Sequence, residues 1–276
     1  MPIAMLNTTS IYYQISEASD PDAAKLLYIG GTGGDLRSKP NIFDSPLAKH
    51  FQILAYDQRG LGQTEAGGGP YTMAQYGDDA AELLAHVGWD KALVYGVSFG
   101  GMVAQHLALR HPECVERLVL ACTSPGGENT ASYPLHNIHE LQGYQRFIFT
   151  LGIYDNRCTA QWQLANPQQV KKMWLYTEKQ RQQIPVTELS KRGERDQIEA
   201  RRCHDVLDQL GNISAATFIC GGHFDDLAPP SNLEILQQRI VGSQLRFYQG
   251  GHLFMLQDPA AIEDILAFLQ GSDICH

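Results

Sequence analysis

The stretch Ala92-Leu93-Val94-Tyr95-Gly96-Val97-Ser98-Phe99-Gly100-Gly101 decides the architecture. An apolar run, Ala92 to Tyr95, leads into G-x-S-x-G. A helical segment, Met102 to Arg110, follows and must stop at His111-Pro112, because proline cannot continue a helix. G-x-S-x-G between a strand and a helix is a nucleophile elbow. The turn is so tight that side chains at Gly96 and Gly100 would collide with neighbouring backbone, which demands glycine there. It lifts the Ser98 hydroxyl above the sheet and aims a helix N-terminus at the same place. The plain alternative is a glycine-rich strand-to-helix turn with an incidental serine.

Working outward, short apolar runs recur. Leu26–Ile29, Ile53–Tyr56, Ala92–Tyr95 and Leu118–Ala121 read as strands buried on both faces, and Thr217–Cys220 and Leu245–Tyr248 continue the series. Near-continuous apolar strands separated by helices predict a mostly parallel sheet covered on both sides. Residues 2–16 differ: two β-like runs flank Asn7-Thr8-Thr9, the pattern of an antiparallel hairpin. Thr72 with Gln75 forms a capping-box signature before Met73, Tyr76, Ala80, Leu83, Leu84 and Val87, which share a helix face. The last helix is expected to start at Asp258-Pro259, with Gly271 as its C-terminal stop.

The alternation breaks between Ser124 and Gly211, a stretch rich in Gln and aromatics with no convincing strand. Helical periodicity is expected over His139–Gly152 and Gln168–Gln183. The charged run Lys191–Arg202 reads as a solvated helix face rather than a partner-binding patch.

A serine hydroxyl needs a base to act as a nucleophile. His252 follows the last strand and precedes the last helix, so it sits on a loop at the carboxyl end of the sheet, where α/β sites form. His106 and His111 fall on or just after the helix that follows the elbow and read as structural; His223 is a weaker rival. The base needs an orienting acid, and either Asp225 or Asp226 of Gly222-His223-Phe224-Asp225-Asp226 can serve. The loop Gly30-Gly31-Thr32-Gly33-Gly34 lacks the lysine and spacing of phosphate-binding loops. It reads instead as an oxyanion-hole loop, with the Thr32 N–H joining the Phe99 N–H.

Composition narrows the field. Hydrophobic residues make up 43% of the 276 positions and charged residues 18%, which argues against disorder. The formal net charge of −9 argues against a general nucleic-acid binder or a partner of anionic membranes. The six cysteines are scattered without a CxxC pair, so neither a zinc site nor a redox motif is expected. No basic n-region or long apolar stretch is visible, and the expected location is the cytoplasm.

With these residues in hand, the chain resembles the α/β-hydrolase fold superfamily, in the branch of small cytoplasmic esterases, enol-lactonases and carbon–carbon bond hydrolases. The order Ser98…Asp225…His252 is the family order. Asp57-Gln58-Arg59-Gly60-Leu61-Gly62-Gln63-Thr64 is similar to the family's D-x-R-G-x-G-x-S turn, with Thr64 in place of Ser. Gly30-Gly31 stands where many members have His-Gly. The family's D-x-x-x-P acid loop fits Asp225 with Pro229 and equally Asp226 with Pro230; the short distance from the strand end favours Asp225.

The resemblance implies a core of residues 1–123 and 211–276 with a helical lid over 124–210. It implies a serine carboxylic-ester hydrolase with Ser98, His252 and Asp225 catalytic and the Thr32 and Phe99 amides as oxyanion donors. It implies a small-molecule ester and water as reactants, and no metal or organic cofactor. Haloalkane dehalogenases and epoxide hydrolases of this fold place Asp at the elbow, which Ser98 excludes. A carbon–carbon hydrolase, an enol-lactonase, an acyltransferase and a slow-turnover ligand receptor share the same constellation. Trp162 and Trp174 of the lid are expected either to influence substrate choice or to anchor the lid core.

Overall fold

The structure, a computed structural model, describes residues 2–6, 9–17, 23–138, 140–272 and 274. Among them eight strands form one sheet: β1 (Ile3–Met5), β2 (Ser10–Ile15), β3 (Lys25–Ile29), β4 (Gln52–Tyr56), β5 (Ala92–Val97), β6 (Val115–Ala121), β7 (Ala216–Gly222) and β8 (Gln244–Tyr248). The order across the sheet is β1-β2-β4-β3-β5-β6-β7-β8. β1 and β2 form the expected antiparallel hairpin, and β2 lies antiparallel to β4. The remaining pairs are all parallel. Asn7 and Thr8 of the hairpin turn lie outside the described residues.

The apolar runs explain the layers. Leu26, Leu27, Ile53, Leu54, Val94, Leu118, Val119 and Leu120 are fully buried. Successive strand residues face opposite sides, so burial of both neighbours requires cover on both faces. Each such side chain contributes about 1.5–3 kcal/mol.

The α-helices among the described residues are α1 (Met73–His86), α2 (Phe99–Arg110), α3 (Gly143–Tyr154), α4 (Ala160–Ala165), α5 (Pro167–Arg181), α6 (Glu188–Arg202), α7 (Pro230–Arg239), α8 (Phe254–Gln257) and α9 (Ala260–Leu269). α1, α2 and α7 contribute to the cluster on one face of the sheet. α8 and α9 contribute to the cluster on the other. The Thr72–Gln75 capping box opens α1. α9 begins one residue later than its Asp-Pro signature suggests, with Pro259 at the N-cap. No described helix is long and apolar enough to cross a membrane.

Between β6 and β7 the described residues hold α3 to α6 and no strand beyond an isolated bridge, Gly126 to Asp205. Two expectations there need correction, and the tryptophans show their packing. α3 starts at Gly143 rather than His139, which lies outside the described residues, and α4 was too short for its period to be read. Trp174 packs edge-on to Tyr144 with centroids 5.3 Å apart and also meets Phe147, while Trp162 packs on the Leu151–Cys158–Val170 cluster. Both tryptophans therefore hold helices together. Finally, α6 is not a wholly solvated face, because Gly193, Gln197, Ile198, Ala200 and Arg201 are buried.

Beside the sheet, Arg59 and Asp79 form a buried two-bond pair: Nε donates to Oδ2 at 2.9 Å and Nη2 to Oδ1 at 2.5 Å. Burial pushes the Asp79 carboxyl up, and the Arg59 hydrogen bonds oppose that shift. Asp79→Ala should strip the carboxylate from a buried two-bond ion pair and cost about 3–5 kcal/mol in urea unfolding. A variant within about 1 kcal/mol of wild type would refute this role for the pair.

A histidine pair joins α2 to the end of α6. His204 Nε2–H donates to the Ser124 carbonyl at 3.0 Å, so His204 Nδ1 accepts from His106 Nε2–H at 3.3 Å. Burial pushes His204 down to about 3, with His106 as the next contributor, and pushes His106 down to about 4 with help from Arg110. The unfolded value is about 6.5, so folding selects neutral rings. Their stabilisation is complete above about pH 6.5 and is lost as pH falls toward the folded values. Stability should drop between pH 7 and pH 5 by on the order of 2 kcal/mol per histidine. The drop should be smaller in His204→Gln, which keeps a donor for Ser124 but cannot charge. An equal drop in both proteins, read from urea midpoints, would assign the acid loss to other groups.

Candidate active site

The elbow is built as the spacing requires. Ser98 sits between β5 and α2 at φ 56° and ψ −117°, a left-handed conformation rare outside glycine. A Cβ on Gly96 would lie 2.5 Å from the Gly100 carbonyl oxygen, and one on Gly100 would run into the Ile29 carbonyl at the end of β3. The strain of about 1–3 kcal/mol persists because neighbours hold both sides of the residue. Ser98 N donates to Ala121 O at 2.8 Å, and Ser98 O accepts from Gly101 N at 2.9 Å and Thr123 Oγ1 at 2.8 Å.

His252 comes from the loop after β8 and is 5% exposed. Asp225 comes from the loop after β7 and is fully buried. Asp225 Oδ1 accepts from the Leu227 and Ala228 amides at 2.8 and 2.9 Å, which leaves Oδ2 for the histidine. His252 Nδ1–H donates to that Oδ2 at 2.7 Å. This fixes the tautomer, since the opposite ring nitrogen must then accept. The Ser98 hydroxyl donates to His252 Nε2 at 3.0 Å. Asp226 points elsewhere: its Oδ1 accepts from Asn156 Nδ2 at 2.8 Å, on the exposed side. His223 is exposed and packs on Phe224 and Phe247.

Gly30–Gly34 runs alongside the elbow, and a Cβ on Gly31 would lie 3.6 Å from Ser98 Cβ. Gly34 N donates to Gly31 O at 3.2 Å, closing the turn. Among the described residues neither the Thr32 nor the Phe99 N–H meets an acceptor. The D-x-R-G-x-G turn holds the far end of this loop. Asp57 accepts from the Leu36 amide at 2.7 Å and the Gln63 amide at 2.9 Å. Burial pushes its carboxyl up to about 6 despite those bonds. Thr64 serves as the turn's hydroxyl: it donates to Asp57 O at 2.6 Å and accepts from Tyr12 N at 2.9 Å. A cavity of about 250 Å³ adjoins the loop, lined in part by Tyr28, Gly31, Leu36, Asn41, Tyr56 and Ile184. Among the described residues no group of three or more His, Cys, Asp or Glu could hold a metal ion.

Sequence reasoning missed the anchors supplied from the segment between β6 and β7. The end of α3 offers carbonyls that a helix C-terminus leaves free. Tyr154 O accepts from His252 N at 2.5 Å, and Ile153 O accepts from Asp226 N at 3.0 Å. From α6, Gln197 Oε1 accepts from Gly33 N at 2.8 Å. The available signal was Gly193 and Gln197-Ile198, uncharged positions on one side of a charged run.

A family model described as the alpha/beta hydrolase fold matches residues 26–259. A protein of Yersinia enterocolitica named "Putative carbamate hydrolase RutD" is 39% identical over 112 residues, 40% of this chain and 39% of that one. The chain thus matches well under half the length of that relative. The 3-oxoadipate enol-lactonase 2 of Acinetobacter baylyi is 28% identical over 216 residues, 77% of this chain and 76% of that one. The crystal structure of the enol-lactonase from Burkholderia xenovorans LB400 superposes with a TM-score of 0.77 at 24% identity, covering 98% of this chain and 100% of that one. At that identity the likeness is one of fold.

Proposed function

Because the chain belongs to the α/β-hydrolase fold family, we propose that it is a serine hydrolase cleaving carboxylic esters of small to medium acyl groups through an acyl-enzyme. The observation that carries this reading is the unbroken hydrogen-bonded row Ser98 Oγ–His252–Asp225. In it each atom has the donor or acceptor role that acyl transfer needs.

Ser98 Oγ attacks the acyl carbon while His252 Nε2 takes its proton. Asp225 holds the imidazole in the Nδ1–H tautomer and stabilises the imidazolium that forms. The carbonyl oxygen, now an oxyanion, is held by the Thr32 and Phe99 amides. Collapse breaks the bond to the alcohol oxygen, which receives the proton from His252. Water then attacks the acyl-enzyme and gives a proton to His252, and collapse breaks the acyl bond to Ser98 Oγ, which takes that proton back as the acid leaves. The reactants are a small ester and water, and no step calls on a cofactor.

We assign residues 124–210 as a lid over a core of 1–123 and 211–276. The free cysteines among the described residues suit the reducing cytoplasm. A second reading, an enol-lactonase, is favoured by the relative from Acinetobacter baylyi. A lactone is an internal ester, so the same steps apply with the leaving oxygen still tethered.

Wild-type protein should hydrolyse p-nitrophenyl acetate and be labelled by a fluorophosphonate at Ser98 alone. Ser98→Ala should abolish labelling and lower turnover by about 10⁴-fold or more with the fold intact. Undiminished hydrolysis by folded Ser98→Ala would sink the mechanism. A panel of linear esters, lactones and ring-cleavage dienones then separates the two readings from a carbon–carbon hydrolase, and added alcohol acceptors detect acyl transfer. A receptor would turn over none of them appreciably.

The two adjacent aspartates give an internal control. Asp225→Asn should cut turnover by about 10⁴, because the amide selects the wrong histidine tautomer. Asp226→Asn loses only an exposed contact to Asn156 and should stay within about threefold of wild type. Crippled Asp226→Asn beside active Asp225→Asn would reverse the assignment. His252→Ala and His223→Ala should divide in the same way, with only the former inactive.

A further inference from the structure

Three α6 residues at four-residue spacing, Gly193, Gln197 and Arg201, are buried against the rest of the molecule. A Cβ on Gly193 would run into the Gly60 carbonyl, so the helix backbone lies directly on the D-x-R-G turn. Arg201 Nη1 donates to Tyr133 O at 2.8 Å. Between them, Gln197 is fully buried in a helix otherwise dominated by charge. Burying an amide without partners is costly, so its contacts are informative.

Those contacts run in one direction. Gly33 N–H donates to Gln197 Oε1 at 2.8 Å. Gln197 Nε2 donates to Gln58 Oε1 at 3.4 Å, and Gln58 Nε2 donates to Gly30 O at 2.7 Å. The ring of amides therefore starts and ends on the same loop. It grips the peptide on either side of the one that carries the Thr32 N–H. The carbonyl of that middle peptide, Gly31 O, is taken by Gly34 N at 3.2 Å. All three peptide planes are thus held, and the Thr32 N–H is left without an acceptor.

We propose that Gln197, acting through Gln58 and Gly33, is a positioning residue that presets the oxyanion loop, so that the segment between β6 and β7 contributes to transition-state stabilisation without touching substrate. The inference rests on the serine-hydrolase reading. A preformed donor costs nothing to orient when charge develops on the oxygen, whereas a loop free to rotate must be ordered at that moment. The ground-state ester carries little charge, so its binding gains little from the same order.

The test is Gln197→Met, which keeps the volume and removes both hydrogen bonds. Turnover of p-nitrophenyl acetate is normalised to the Ser98 fraction labelled by fluorophosphonate. kcat should fall about 10- to 100-fold while KM stays within about threefold. Affinity for a trifluoromethyl ketone, whose adduct on Ser98 carries the oxyanion, should fall by a similar factor. Gln58→Met should show the same pattern, and the double variant should be little worse than either single one. A lowered melting temperature with unchanged kcat and ketone affinity would make Gln197 a packing residue and overturn the proposal. If Gln197→Met does not fold, Gln197→Asn carries the same test with a polar side chain too short to reach Gly33. Wild-type protein silent toward both ester and fluorophosphonate overturns the hydrolase reading and this inference with it. An active wild type matched by folded Gln197→Met overturns the inference alone.

Discussion

The left-handed backbone at Ser98 is the constraint around which the site is arranged. It lets β5 turn into α2 within one residue, so the serine stands at the carboxyl edge of the sheet and α2 starts beneath it. The conformation costs about 1–3 kcal/mol, and it survives because neighbouring strands and loops over-determine it. β6 contributes twice, accepting from Ser98 N through Ala121 and placing Thr123 on Ser98 O. β6 is followed directly by a second left-handed residue, Cys122 at φ 41°, whose amide donates to Cys220 O at 2.8 Å. The ends of β5, β6 and β7 are thereby locked to one another. The glycines at 96 and 100 follow from this convergence, since β3, β5 and α2 approach too closely for side chains there.

Parallel strands then supply the partners. Because β5, β7 and β8 run the same way, the loops after them gather at one edge. That is why residues as far apart as Ser98, Asp225 and His252 meet in one hydrogen-bonded row. Each loop is secured by backbone chemistry before any reactive group is considered. Asp225 is braced by two amides of its own turn, and Asp57 ties the glycine-rich segment after β3 to the turn after β4. The helices between β6 and β7 add a second set of ties. The last carbonyls of α3 take amides from the histidine and aspartate loops, and α6 takes one from the glycine-rich loop after β3. The three loops that meet at Ser98 are thus joined through one segment as well as through the sheet.

Much of this was legible in the sequence. Strands buried on both faces read as apolar runs, the elbow read as G-x-S-x-G, and His252 stood out by following the last strand. Asp225 and Asp226 were nearly equivalent on paper, because both satisfy the same spacing to a proline. They separate in space because the Asp225 side chain turns inward onto amides two and three residues on, while that of Asp226 turns out to Asn156. The region between β6 and β7 was least legible. Its tryptophans pack between helices, contacts no local pattern reveals, and α6 looked solvated while hiding a buried glutamine.

The division has a physical basis. Local sequence determined what depends on near neighbours: strand runs, the capping box of α1, the stop of α2 before Pro112 and the tight turn at Ser98. Steric exclusion and hydrogen bonds within a few residues decide these features, and they leave residue-type signatures. Tertiary structure alone decided which aspartate faces His252, which carbonyls of α3 hold the loops, and that Gln197 reaches Gly33 from 164 residues away. Those bonds form between groups every chain possesses, backbone amides and carbonyls above all. Their pairing depends on where the sheet and helices bring them, which no local pattern encodes.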